Sequence, residues 1–183
     1  MFYLLNCDCE NFRNYYLSKN LSANEAVELS KSFDGRSHGD SYTAITFFMT
    51  RKKESEYPIA DWQTGCIPIC SKKMKDVVEE MCSENEVEFL PCKLEGTDEV
   101  YYIMNILGLE DCVDYEKSKF TRFPSNPNKI MFFEYIEFKN KVNRHFFRIK
   151  DLPYCHYFVS QEAKEKLENA GLKGLVFDNK LFI

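Results

Sequence analysis

Two stretches of the chain, about ninety residues apart, share one arrangement of apolar and polar positions. Cys66-Ile67-Pro68-Ile69-Cys70 ends in Ser71 and leads through residues 72–82 to Val87-Glu88-Phe89. Cys155-His156-Tyr157-Phe158-Val159 ends in Ser160 and leads through residues 161–170 to Leu175-Val176-Phe177. Counted from the serine, Met74 matches Ala163, Val78 matches Leu167 and Met81 matches Ala170. Each stretch therefore predicts a strand, a serine-capped helix with one buried face, and a second strand.

Elsewhere the pattern is less regular. Residues 2–5 read as an edge or opening strand, followed by a polar, weakly periodic region to Asn20. Ser22 with Glu25 three positions on is a capping box, which starts a short helix to about Ser30. Asp34-Gly35-Arg36-Ser37-His38-Gly39-Asp40 is a loop by composition, and the β-branched and aromatic run 42–49 reads as a strand closed by the charged turn 51–54. Val87 and Phe89 alternate with Glu84, Glu86 and Glu88, which predicts three carboxylates on the solvent face of a half-buried strand. After a turn at Gly96-Thr97-Asp98, residues 100–107 are almost continuously apolar, as in a central strand covered on both faces. Residues 109–120 read as an acidic connection. Pro124-Ser125-Asn126-Pro127-Asn128 is a turn, and strands are expected at 130–138 and 145–149.

With 183 residues, 44% of them hydrophobic and sixteen of them phenylalanine, the chain can build one sizeable core or at most two small ones. No apolar stretch approaches the roughly 20 residues a bilayer requires. The amino terminus lacks the basic flank of a secretory signal, so a cytoplasmic location is expected. The eight cysteines sit inside apolar runs and read as reduced core thiols rather than a disulfide scaffold or a zinc knuckle.

The net charge of -5 is unevenly spread. Residues 66–120 carry thirteen Asp and Glu against six Lys and Arg, whereas residues 121–150 carry two against seven. The acidic group Glu84, Glu86, Glu88, Glu95, Asp98, Glu99, Glu110, Asp111 and Asp114 is the candidate surface for a positive partner. The basic stretch Lys139, Lys141, Arg144, Arg148 and Lys150, interleaved with Phe138, Phe146 and Phe147, is the candidate for nucleic acid. Phe147-Arg148-Ile149-Lys150 also alternates as a solvated strand face would.

Hydrolase elbows, phosphate loops, zinc helices and dinucleotide fingerprints do not occur in the sequence. His38, beside Asp40 in the glycine loop, is the least implausible catalytic candidate among three histidines. Cys155-His156 does not read as a thiolate pair, because adjacent residues on a strand point to opposite faces.

The ordered series Glu88-Phe89-Leu90-Pro91-Cys92, then 101–107, Asp111-Cys112-Val113-Asp114, Lys117-Ser118, Phe147-Arg148, Val159-Ser160 and 171–177 resembles the immunity-protein family of bacterial polymorphic toxin systems once catalogued as domain of unknown function 1629. The resemblance covers residues 67–177 and is weak before Trp62. It implies a cytoplasmic protein that binds a cognate toxin domain and blocks it, with no catalytic residue, cofactor or metal. The expected architecture is one α+β domain over residues 1–183: a mixed, largely antiparallel sheet with two strand-helix-strand units packed against it. Residues 1–62 form its variable part and 63–183 its family-like core. The leading expectation is neutralisation of that toxin by direct binding through the acidic group. A nucleic-acid module using residues 139–150 is the alternative.

Overall fold

The computed structural model describes residues 1–17, 21–49, 56–65, 67–139, 142–154 and 156–179. Cys66, Cys155, Lys141 and the turn at 51–54, all named above, lie outside the described residues. The fold is α+β, dominated by mixed, largely antiparallel sheets. A four-stranded sheet has the order β10 (Phe146–Phe147), β11 (Phe158–Ser160), β1 (Phe2–Cys7), β12 (Leu175–Asp178). A six-stranded sheet has the order β2 (Tyr15–Leu17), β3 (Thr46–Met49), β6 (Val87–Leu94), β7 (Tyr101–Ile106), β5 (Ile69–Ser71), β4 (Trp62–Gln63). A separate hairpin arm joins β8 (Lys119–Phe123) to β9 (Asn126–Tyr135). The helices are α1 (Ala23–Ser32), α2 (Lys72–Glu79) and α3 (Gln161–Asn169).

The paired stretches fold into one module built twice. Ser71 Oγ accepts the Met74 amide and Ser160 Oγ accepts the Ala163 amide, so each serine satisfies a free donor in the first turn of its helix. In the first module β7 lies antiparallel between β5 and β6; in the second, β1 lies antiparallel between β11 and β12. The registers coincide. Ser71 faces Tyr101 where Ser160 faces Phe2, and Phe89 faces Met104 where Phe177 faces Leu5. Lys75 lies over the Phe89 and Tyr102 rings and pairs with Glu79; Lys164 lies over Phe177 and Tyr3 and pairs with Glu168. The modules differ in where the central strand comes from, β7 following its helix and β1 opening the chain. Residues 2–5 are thus the middle of a sheet rather than an edge, because β11 and β12 flank them on both sides.

The modules share one core. Met74, Val78, Ala163 and Leu167 pack with Leu5 and Met104. Asp61 fastens the two together, one carboxylate oxygen accepting Ser71 Oγ at 2.6 Å and the other accepting the Lys173 amide at 2.7 Å. A second core joins the arm to the four-stranded sheet through Ile130, Phe133, Ile136, Phe147 and Phe158. A third lies under β3, β5 and β6, with Phe33, Phe47, Ile69 and Leu90.

Several sequence expectations need correction. β8 falls at the end of the stretch read as an acidic connection, and β2 in the stretch read as aperiodic. The strand expected over 42–49 begins only at Thr46, after a 3₁₀ turn over Gly39–Ser41. Glu84 and Glu86 precede β6, and the first half of β6 is covered on both sides, Val87 and Phe89 facing the shared core and Leu90 the third; only beyond Leu90 does it alternate, Cys92 and Leu94 buried and Pro91 and Lys93 exposed.

Removing the two helix caps tests the equivalence of the modules. Ser160→Ala should cost about 1 kcal/mol. Ser71→Ala should cost more, since it also takes the donor from one oxygen of the Asp61 carboxylate at the seam of the modules, whereas the second partner of Ser160 Oγ is the His145 ring. Urea unfolding of both variants reads the difference.

Candidate functional site

The structure divides the acidic group between carboxylates that bond other parts of the protein and carboxylates that face solvent. Glu86 and Glu110 both approach Arg144, at 3.5 and 3.4 Å, and Arg144 also donates to the Glu86 carbonyl. Asp111 pairs with Lys139 at 3.7 Å and Asp114 with Lys117 at 3.1 Å. The Lys117 bond holds the Asp114 carboxyl below its ordinary pKa despite partial desolvation. Glu84, Asp98 and Glu99 are exposed and form no ion pair among the described residues. Glu95, Asp98 and Glu99 line an open groove of about 720 Å³ whose other walls include Phe48, Pro91, Leu94 and Val100.

Glu88 is a structural anchor. Its carboxylate accepts Ser37 Oγ at 2.7 Å, the His38 and Gly39 amides at 3.0 Å each, and Asn105 Nδ2 at 3.0 Å. Partial burial alone would raise its pKa, but these donors outweigh that and hold it at about 2. Asn105, itself buried, also donates to the Arg36 carbonyl. The 34–39 loop is thus tied down from β6 and β7. Its other anchor is Arg148.

Arg148 is only 1% exposed. Its Nη1 donates to the carbonyls of Phe33 and Pro153, and its Nη2 to that of Ile106 at 2.7 Å. Burial lowers its pKa from the ordinary arginine value. The expected alternation of 147–150 is therefore wrong in one respect: Phe146, Phe147, Arg148 and Ile149 are all buried, because the loops at 33–39 and 151–153 cover the side that would otherwise face solvent. Of the basic stretch, Arg144 is held by two glutamates, Arg148 is internal and Lys139 is paired.

His38 stacks on Phe33 with ring centroids 4.4 Å apart, and its Nε2 lies 3.2 Å from the Ser32 carbonyl. That places it as a loop anchor. Burial lowers the pKa of His156. Cys70, Cys92 and Cys112 are buried free thiols, and burial pushes Cys92 and Cys112 up to about 12. Cys9 is exposed, and its sulfur lies 2.9 Å from that of Cys7. Among the described residues no group of three or more His, Cys, Asp or Glu is placed to hold a metal ion. No helix there is long and apolar enough to cross a membrane.

Sequence reasoning overlooked the apolar surface of the arm. Phe123, Met131, Phe132 and Tyr135 on β8 and β9 are each between 37% and 41% exposed, whereas Ile130 and Phe133 beside them are buried. The run Ile130-Met131-Phe132-Phe133 carries the signal, since a two-stranded arm lying on a core can cover only one side of it.

A family model described as an immunity protein family (Imm11) matches residues 10–180. The chain belongs to this family. The Imm11 match takes in β2, α1 and β3 as well as both modules apart from β1, so the region from residue 10 to Trp62 falls within the family pattern. No curated protein matches the chain.

Two substitutions test the loop anchors of this Imm11 protein. The low pKa of Glu88 against its ordinary 4.5 means that its contribution is complete above about pH 4.5 and is lost as pH falls toward 2. Glu88→Gln should therefore cost on the order of 1–3 kcal/mol at neutral pH, and the gap from wild type should close over that acidic window in urea titrations. Arg148→Met, similar in length but without donors, strands the carbonyls of Phe33, Pro153 and Ile106. A loss on the order of 2–4 kcal/mol is expected by thermal unfolding.

Proposed function

We propose that this chain is an immunity protein that neutralises a cognate toxin by direct protein–protein binding, without catalysis. Membership of the Imm11 family over residues 10–180 carries the reading. The internal employment of the chemically versatile groups supports it: Glu88, Arg144, Arg148 and His38 each hold backbone or side chains of the protein itself. The nucleic-acid alternative would draw on residues 139–150, where the fold already engages Lys139, Arg144 and Arg148 and leaves Lys150 exposed.

Within this reading the acidic group divides. Glu86, Glu88 and Glu110 hold parts of the scaffold, so their charge reversal would perturb folding before binding, whereas Asp111 and Asp114 pair with exposed lysines at the surface. Glu84, Asp98 and Glu99 are exposed carboxylates available to a partner, and the latter two line, with Glu95 and Lys93, the groove over β3 and β6, where acids outnumber the one lysine. Exposed charges at such a site steer encounter more than they hold the complex.

The primary test is co-purification with the product of the adjacent toxin gene, together with rescue of cells expressing it; an absence of both defeats the proposal. For the acids, Asp98→Lys with Glu99→Lys should slow association by on the order of tenfold at low salt, with little change in dissociation. An association rate that stays at the wild-type value in stopped-flow measurements removes the groove from the interface.

A further inference from the structure

We propose that the β8–β9 arm is the apolar anchor of the toxin interface, seated against a face of the toxin that surrounds an apolar centre with carboxylates. This rests on the neutralisation-by-binding reading.

Twelve large apolar side chains are exposed among the described residues, and four of them, Phe123, Met131, Phe132 and Tyr135, fall on this one arm. Aromatic residues, methionine and arginine are the types enriched in the centres of protein interfaces. The arm does not expose them for want of attachment: Ile130 and Phe133 hold it to the core shared with Phe147 and Phe158. The outward side chains are left over once that attachment is made.

Charge identifies the occupant. Over residues 119–135 the arm carries Lys119, Arg122 and Lys129 against Glu134, a net +2, so the remainder of the chain is -7. A second copy docked arm to arm would bring these cations together. Nucleic acid fits less well, because the whole chain is -5 and the arm's cations are partly engaged: Lys119 pairs with Glu134, and Arg122 lies over the Phe120 ring and donates to the Pro127 carbonyl. A protein face with an apolar centre and an acidic rim satisfies both the exposed rings and the residual positive charge.

The experiment uses the full chain and the toxin domain encoded beside it. Met131→Ser with Phe132→Ser, and separately Phe123→Ser near the turn, are compared with wild type in calorimetry and surface plasmon resonance, with melting temperatures recorded. The double variant should weaken binding by about 30-fold or more, chiefly through faster dissociation, at an unchanged melting temperature. Phe123→Ser should act in the same sense, and it serves as the test if the double variant unfolds. Lys129→Glu should slow association. Wild-type affinity in both apolar variants would remove the arm while leaving neutralisation by binding intact. Failure of the wild-type protein to bind would sink both proposals. Sedimentation showing a dimer that the arm variants dissociate would assign the arm to a second copy. Arm-dependent, steeply salt-sensitive binding of a single-stranded oligonucleotide would replace the toxin with nucleic acid.

Discussion

The buried guanidinium of Arg148 is the constraint on which the junctions of this fold depend. Desolvating a cation costs several kcal/mol, and among the described residues no carboxylate stands within ion-pairing distance of it. The carbonyls of Phe33, Pro153 and Ile106 receive its donors instead. These groups end α1, begin the turn before β11 and close β7, so one side chain ties three remote segments to a common point. The close approach also fixes the backbone around it. Gly35, at φ +96°, would place any Cβ within 3.4 Å of Arg148 Nη2 and within 3.2 Å of Gly108, whose amide donates to the Gly35 carbonyl.

Glu88 completes that junction from the other side. Arg148 holds the Phe33 carbonyl at the start of the loop, and Glu88 holds the His38 and Gly39 amides at its end. Charges of opposite sign thus fasten one segment through backbone groups without touching each other. This disposition changes what the charge pattern of the sequence means. Part of the acidic excess over 66–120 and of the basic excess over 121–150 is mutually paired, Glu86 and Glu110 meeting the largely buried Arg144 and Asp111 meeting Lys139 at the surface. Partners that are close in space and remote in sequence appear in a linear reading as opposed patches.

The modules were legible because their determinants are local. A serine three residues before its acceptor amide, and apolar positions at helical spacing, act within one turn of chain. Even the distances from serine to closing phenylalanine, which differ by one residue, end in the same cross-strand register. What failed was whatever depends on the element lying across the way. Alternation in 147–150 and in 84–89 states that two faces differ, but it does not state that a loop covers the polar one. Arg148 and Glu88 were accordingly placed in water. β8 was missed for a related reason: Lys119-Phe120-Thr121-Arg122-Phe123 is too short and too charged to read as a strand until β9 stands beside it. For the candidate site the sequence supplied the sign of the charge at each position and nothing about its partner. The acidic group therefore mixed carboxylates tied within the fold, such as Glu88, with exposed ones such as Asp98 and Glu99, and the exposed rings of the arm were not singled out.

The doubled module also bears on where specificity can reside. Its strands and helices answer to each other through shared register, Lys75 and Lys164 occupying the same position over the same pair of rings, so substitution there disturbs packing. The arm falls between the two helices in chain order and obeys a looser rule. Ile130 and Phe133 must stay apolar to hold it to the core, while Met131, Phe132 and Tyr135 satisfy no contact within the shared core. On the reading proposed above, distinguishing one toxin from related ones requires surface that can change without unfolding the protein. The arm's outward residues meet that condition, and so do Asp98 and Glu99 on the turn after β6. Glu86, Glu88 and Glu110, which hold Arg144 and the 34–39 loop, do not.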